Sequence, residues 1–331
     1  MSHVLKLGHQ PADLPGVLPG NLTTDTGYFF PEYDVNGLRF SGDRDEAFPF
    51  FAQFPAPMGD LWIQFVFRAP NETTRPRNAT RHLLVLYDAS QTVIARIVAD
   101  TSDDNWRAEV HGDTTETGNL LGLDELGTYW FNIQLVVGAN IELRVHFGDV
   151  LVSQAIAANS GGAGKPVRCD FPNTGLHSSH LNRNWGYAHF AFLDGVSTIG
   201  RRFIRRVPSV AGVHTDWAGS VDAIADGRVE TRMTSDTPGQ RQSATLAGPS
   251  VPSGAAIAAV HLQAVAQGGT DGVQGLAGSL RVAGADHDAP VETIGIETPE
   301  TVTSTWPQNP ATSADWTEAD LPDEIGLLSA T

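Results

Sequence analysis

Hydrophobic and polar residues alternate one by one along much of the N-terminal portion of the chain, the period of a strand with one dry and one wet face. In residues 61–67, Leu61, Ile63, Phe65 and Phe67 fall on one face. Residues 82–87 and 93–98 flank the turn sequence Asp88-Ala89-Ser90-Gln91 and predict a hairpin. A short strand is expected over 106–110. Residues 129–137 place Tyr129, Phe131, Ile133, Leu135 and Val137 inward, and Gly138-Ala139-Asn140 then turns into 141–147. Gly148-Asp149 reads as a two-residue turn of type II′ leading into 150–152. A loop over 158–180 precedes strands at 187–193 and 202–207. The set comes to about nine strands, enough for two packed antiparallel sheets.

The C-terminal portion alternates less sharply. Residues 256–266 fit a strand, but their alanines suit a helix equally. Strands are expected over 276–282 and 302–306, and one helical turn over 316–321 before Pro322. Small residues dominate here and predict a thin, closely spaced core. No internal repeat of the solenoid kind is present.

Composition strengthens the all-β reading. The 331 residues include Gly 34 and Pro 20, and lysine occurs only at Lys6 and Lys165, so helix-favouring Lys/Glu runs are missing. The net charge is −17. It divides unevenly: residues 1–207 carry −5 and residues 208–331 carry −12, with the step at Val207-Pro208-Ser209. The expected organisation is an N-terminal arm over 1–24, a sandwich over 25–207 and an acidic β-rich module over 208–331. Such acidity argues against nucleic acid and against an anionic membrane surface as partners. No apolar run reaches a membrane span, so no membrane insertion is expected. A single cysteine, Cys169, excludes an intrachain disulfide and a cysteine-cluster metal site. The N-terminus lacks the apolar core of a signal peptide.

Residues 61–67, Leu83-Leu-Val-Leu-Tyr-Asp88, Thr128-Tyr-Trp-Phe-Asn-Ile-Gln-Leu135 and the hairpin over 141–152 resemble the concanavalin-like (laminin-G-like) jelly-roll sandwiches. In that superfamily the hairpin turn usually reads Asp-Gly; here Gly148-Asp149 stands in reverse order. Residues 217–226, 239–246 and 258–266, with the closing Asn309-Pro-Ala-Thr-Ser-Ala-Asp-Trp-Thr-Glu-Ala319, resemble the C-terminal module of tailed-bacteriophage virion proteins. In those proteins the last phrase precedes a final strand, here 325–328. The joint resemblance implies an antiparallel jelly-roll sandwich followed by a smaller β-rich domain, in a non-enzymatic virion structural protein of a tail or fibre. Adhesion or assembly would be its role, with other virion proteins, further copies of itself (a homotrimer) and a host surface glycan as partners. It also implies assembly in the host cytoplasm, residence on the virion and release by lysis. The alternatives are a capsid decoration protein, a tail-borne glycan-degrading enzyme and a bacterial lectin.

Candidate chemistry is sparse. The sandwich hydrolases carry Glu-x-Asp-x-x-Glu on one strand; the nearest match, Glu32-Tyr-Asp34-Val-Asn-Gly37, lacks the last carboxylate, and Asp43-Arg44-Asp45-Glu46 has the wrong spacing. No catalytic residue is therefore assigned. His177, His180 and His189 invite a metal or catalytic reading, but the His-x-x-His pair needs a third ligand to chelate a metal, and although Asp170 and Asp194 could supply one, nothing requires them; no cofactor is assigned, and structural Ca²⁺ has no nameable ligand set. Asn182, Arg183, Asn184, Trp185 and Tyr187 supply amides, a guanidinium and aromatic faces, the chemistry of a sugar site. Arg201, Arg202, Arg205 and Arg206 form the one basic run and a candidate subunit contact, against ion pairs within the chain as the plainer reading. Phe48, Phe50 and Phe51 are expected in the core or a strand edge, and become a subunit contact if exposed. Gly161-Gly-Ala-Gly-Lys165 is no phosphate loop, because Pro166 follows the lysine. Sequons at Asn21, Asn71 and Asn78 occur by chance, and Cys169 is a free thiol.

Overall fold

The computed structural model describes residues 4–8, 22–23, 37–40, 50–68, 81–99, 106–123, 127–171, 183–225, 231–270, 272–296 and 299–331. The chain divides into two compact units, His3–Phe203 and Ile204–Thr331. Both are built from antiparallel strands, and the first is a jelly-roll sandwich.

The first unit holds β1 (Val4–Gly8), β2 (Leu22–Thr23), β3 (Gly37–Phe40), β4 (Phe50–Gln53), β5 (Leu61–Arg68), β6 (Arg81–Asp88) and β7 (Val93–Ala99). It continues with β8 (Trp106–His111), β9 (Thr115–Leu120), β10 (Thr128–Val137), β11 (Asn140–Phe147), β12 (Val150–Ala158), β13 (Pro166–Phe171) and β14 (Arg183–Asp194). The larger sheet runs β12-β11-β10-β5-β14-β3-β2, and β1 also pairs with β14. The smaller runs β4-β13-β6-β7-β8-β9.

Alternation explains the core. Ile63, Phe65 and Phe67 of β5, Phe131, Ile133 and Leu135 of β10, and Leu143 and Val145 of β11 are all shut off from water and pack with Leu86, Ile97, Val110 and Phe171 of the other sheet. Phe65 lies flat on Phe131 (centroids 4.8 Å apart, 7° between planes) and meets Phe171 edge-on at 5.4 Å. Phe50 stacks on Phe171 at 4.9 Å and meets Tyr187 edge-on at 5.4 Å. Each such pair contributes about 0.5–1.5 kcal/mol beyond the area it buries.

The turns also follow from sequence. Asp88 Oδ1 accepts from the backbone N–H groups of Ser90 (2.8 Å) and Thr92 (3.0 Å), closing the β6–β7 hairpin. Gly148 has φ +61° at the first central position of the β11–β12 turn, where type II′ needs a positive φ.

Three expectations are corrected. Residues 166–171 form β13 within the expected 158–180 loop: Cys169 and Phe171 point into the core, while Arg168 and Asp170 pair outside it with Nε to Oδ1 at 2.5 Å. The alternation is there, but its outward phase is an ion pair rather than ordinary polar residues. Residues 201–206 form no strand, and the ladder restarts only at Val207. The Arg201 carbonyl accepts instead from the Gln64 side chain. Within the expected N-terminal arm, Val4–Gly8 is a strand lying along β14.

The second unit holds β15 (Val207–Thr215), a single helical turn α1 (Asp222–Ala225), β16 (Arg241–Ala247), β17 (Val260–Ala266), β18 (Gly275–Val282) and β19 (Ala285–Asp288). β20 (Glu292–Thr293), β21 (Glu300–Trp306) and β22 (Glu324–Ala330) complete it, with a 3₁₀ turn at Glu318–Asp320. One sheet runs β15-β16-β22-β18-β19 with β20 on β18, and β17 and β21 form a separate ribbon. The alanine-rich 256–266 stretch is therefore strand from Val260 onward. Leu262, Leu280, Val282, Trp306 and Trp316 make the core. Trp316 Nε1 donates to the Trp306 carbonyl at 2.8 Å. Asn309 organises the loop between them: its backbone N–H donates to the Ala314 carbonyl at 2.9 Å, and its Oδ1 accepts from the Ala311 N–H at 2.9 Å.

β15 carries a bulge. Ala211 faces Ala244 and Thr215 faces Gln242, so residues 212–214 arch out of the ladder. The Val213 N–H donates to Glu324 Oε2 (2.9 Å) and the His214 N–H to Ser243 Oγ (3.0 Å), while His214 Nε2 meets Asp286 Oδ2 at 2.6 Å. A Cβ at position 212 would sit 2.0 Å from Glu324 Oε2 and 2.3 Å from Ser243 Oγ, so a larger residue there would displace the side chains that hold the arch. Two of the module's four basic residues, Arg241 and Arg281, pair internally with Asp288 and Asp286.

Two predictions concern the first unit. Phe65→Ala removes the ring at the centre of the aromatic stack and should cost about 3–5 kcal/mol in urea unfolding, with little recovery by repacking. His82 has its pKa lowered to about 4 by burial, and then by the Arg96 charge. The unfolded chain therefore binds this proton more readily. Stability should be complete above pH 6.5, the ordinary value, and decline as pH falls toward 4. His82→Gln should flatten that decline, read as the urea midpoint against pH.

Candidate functional site

The outward phase of β5, β10, β11 and β12 carries the chemistry of the first unit. Strand register places Leu193, Trp62, Gln134, Arg144 and Gln154 in one row across five strands. Ala191, Gln64, Asn132, His146 and Leu151 make the next row. Directly paired residues share a sheet face, so both rows lie on the face turned away from the core. From Trp62 to Gln154 the row crosses three interstrand gaps, about 14 Å.

The first row is joined by hydrogen bonds. Gln134 Nε2 donates to Asp60 Oδ2 (2.7 Å), Arg144 Nη1 to Gln134 Oε1 (3.1 Å) and Arg144 Nε to Glu142 Oε1 (2.6 Å). Gln154 Nε2 also donates to Glu142 Oε1. Trp62, Gln134 and Arg144 are half-buried, and Gln154, Leu151 and Ile156 are exposed at the β12 side.

In the second row His146 stacks beside Trp62, with centroids 6.3 Å apart. Its Nδ1 lies 3.2 Å from the Asn132 carbonyl oxygen. A carbonyl only accepts, so Nδ1 carries the proton and Nε2 keeps the lone pair. Burial lowers the imidazole pKa, against the opposing effect of that hydrogen bond, and the ring is neutral at pH 7.

Residues 195–203 cross the remaining part of this face. Gln64 Nε2 donates to Asn132 Oδ1 (2.7 Å) and to the carbonyls of Thr198 (3.0 Å) and Arg201 (3.1 Å). Asn132 Nδ2 in turn donates to the Gly148 carbonyl at 2.7 Å. The Arg202 guanidinium lies 3.8 Å over the Trp130 ring, and Phe203 packs on His189 at 5.0 Å. His189 itself packs on Trp130 at 5.7 Å from the β14 bulge, with φ +55°.

The sequence-based candidates fall elsewhere. Arg183, Asn184 and Trp185 lie on β14 opposite Phe40, Arg39 and Leu38. Asn182, His177, His180 and Phe48 lie outside the described residues. Tyr187 is 2% exposed, deep in the core, so its ring offers no platform to a sugar. Phe50, at 1%, is core as well and cannot serve as a subunit contact, while Phe51 is half-buried beneath the Arg168 guanidinium at 4.3 Å. Arg201, Arg202 and Arg205 are exposed; Arg201 Nε donates to the Ser197 carbonyl (2.8 Å) and Arg206 Nε to that of Pro249 (3.3 Å). Asp170 is committed to Arg168, and Asp194 accepts from the Met58 and Gly59 N–H groups. Cys169 is fully buried, which pushes its thiol pKa well up. Among the described residues no group of three His, Cys, Asp or Glu side chains is placed to hold a metal, and no helix is long and apolar enough to cross a membrane. The rows themselves were in the sequence, as the wet phase of Trp62-Ile-Gln64, Trp130-Phe-Asn132-Ile-Gln134 and Glu142-Leu-Arg144-Val-His146.

No protein-family model and no curated protein matches the sequence. Solved structures do. An endo-β-1,4-glucuronan lyase from Trichoderma reesei aligns at 10% identity and TM-score 0.39, covering 57% of this chain and 94% of that one. A GH131 β-glucanase catalytic domain from Podospora anserina aligns at 13% identity and TM-score 0.32, with 57% and 94% covered. The botulinum neurotoxin serotype D ligand-binding domain, solved with N-acetylneuraminic acid, aligns at 8% identity and TM-score 0.36, with 74% and 70% covered. These neighbours correct the expected non-enzymatic virion role: they are glycan-degrading and ligand-binding proteins, and they agree with the alternative of a glycan-degrading enzyme better than with a virion subunit. What they share with this chain is the β-sandwich fold.

Proposed function

We propose that the first unit binds a glycan across the outer face of its larger sheet and cleaves it by proton abstraction. One observation carries this reading: Trp62, Gln134 and Arg144 stand in register on a half-open face, with the neutral imidazole of His146 beside them. An indole face packs against the apolar side of a sugar ring, and amide and guanidinium groups hold its oxygens. Arg144 and Gln134 also supply the positive and neutral donors that stabilise a carboxylate on which negative charge accumulates. His146 Nε2 takes the proton on the carbon next to the carboxylate, the electron pair left there forms the ring double bond as the glycosidic C–O bond one carbon on breaks, and the departing oxygen takes a proton from water; the partner that fixes the His146 tautomer is the Asn132 carbonyl. Elimination in a uronate-containing chain suits this set. Hydrolysis suits it less, because both carboxylates along the row, Asp60 and Glu142, already accept hydrogen bonds from Gln134 and Arg144.

The test incubates the full chain with alginate, polyglucuronate, polygalacturonate and a neutral β-glucan. Ultraviolet absorbance of an unsaturated sugar is read beside new reducing ends. Elimination raises both signals and hydrolysis only the second. His146→Gln should lower the rate by about 10²–10⁴-fold while binding is retained. Trp62→Ala should weaken binding. The rate should fall as acid protonates His146, at a pH below the ordinary histidine range. Absence of both affinity and cleavage across the panel would reject the reading.

A further inference from the structure

We propose that residues 195–203 are a displaceable cover, and that lifting it adds Gln64, Trp130, Asn132 and His189 to the glycan-binding face as a second set of subsites. This inference rests on the glycan reading of the open rows and extends it to the part of the face that is now hidden.

The covered side chains are of the same kind as the open ones: an indole, two amides and an imidazole on the outward phase of the same strands. Ordinarily a sheet face destined for permanent burial is apolar, because each polar group placed there needs a partner. Here Gln64 and Asn132 are 2% and 0% exposed, beneath a segment without any ladder of its own.

That segment is one layer thick. Thr198 is buried against the sheet, while Gly200, Arg201 and Arg202 are exposed. Its hydrogen bonds to β5 converge on one side chain. The Gln64 amide has two hydrogens for three acceptors, so the cover shares those hydrogens with Asn132 Oδ1. Arg202 over Trp130 is the kind of stacking that a sugar ring replaces directly.

Its start is firmly held. Asp194 accepts from the Met58 and Gly59 N–H groups at 2.9 and 2.7 Å, and the Gly195 N–H donates to the Asp60 carbonyl at 2.8 Å. Gly195 and Gly200 have φ +66° and +74° and are the points where the backbone direction changes most easily. The segment thus has a fixed root, two hinges and a span that joins no strand ladder.

Hydrogen exchange of the full chain, followed by mass spectrometry, tests this. Residues 196–204 should exchange at least about 10-fold faster than residues 129–136 of β10, because they open locally rather than by global unfolding. Arg202→Ala, which removes the stacking on Trp130, should accelerate exchange in 196–204 alone; Gln64→Ala should do so more strongly and serves as a second variant. Adding an alginate hexasaccharide should speed exchange in 196–204, whereas a disaccharide that fits the open rows should not. A segment as protected as 129–136 in the wild type and both variants would overturn the cover. A hexasaccharide that binds without changing exchange in 196–204 would overturn its role over further subsites. Fast exchange in 196–204, with no saccharide bound at any length, supports a mobile cover and rejects the glycan reading of the face.

Discussion

The side-chain amide of Gln64 has almost no contact with water, and a buried amide left unbonded costs about 1–3 kcal/mol. Several elements are arranged around that requirement. Asn132 comes from β10, and the Thr198 and Arg201 carbonyls come from the segment after β14. Asn132 is in turn held by the Gly148 carbonyl at the β11–β12 turn. The same strand presents Ile63 and Phe65 to the core on its other side. β5 is therefore the place where the aromatic core and the chemical face are coupled, with only the pleat of the backbone between them.

How much could be read beforehand follows from that coupling. Strands whose dry phase is strong, such as residues 61–67 and 129–137, were legible because Phe and Ile at every second position admit one arrangement. β13 was not, since its outward positions are the Arg168–Asp170 pair and its start is marked by Gly and Pro. Residues 202–207 mix arginine with Phe203, Ile204 and Val207 as an edge strand would, but such a pattern only matters when the backbone has a ladder to join. The candidate rows were missed for a related reason. Attention to the apolar phase finds the core, while Trp62, Gln134, Arg144 and His146 become neighbours only when three strands are put in register. No local motif carries that information. The clustering of Asn, Arg and Trp over 182–187 looked like a site because its residues are adjacent in sequence, yet strand geometry sends Tyr187 inward.

Charge is distributed with similar economy. The first row holds its guanidinium between Gln134 and Glu142, which fixes the direction of the group while leaving part of it open to water. In the second unit Arg241 and Arg281 are tied to Asp288 and Asp286. Surface pairs of this sort contribute little to stability. Their main effect is to hold long side chains in one place.

The arch at residues 212–214 has a bearing on how the second unit behaves among its neighbours in solution. β15 is the outermost strand of its sheet and carries Val210 and Val213, 64% and 57% exposed, which would make a straight strand adhesive. Free amides along such a border recruit foreign strands, the first step toward fibrous aggregates. Here two consecutive N–H groups are withdrawn from the border and given to Glu324 and Ser243. An incoming strand would lose its register within a few residues. The glycine that permits this close approach thus breaks the continuity of an exposed sheet border as well as shaping the arch.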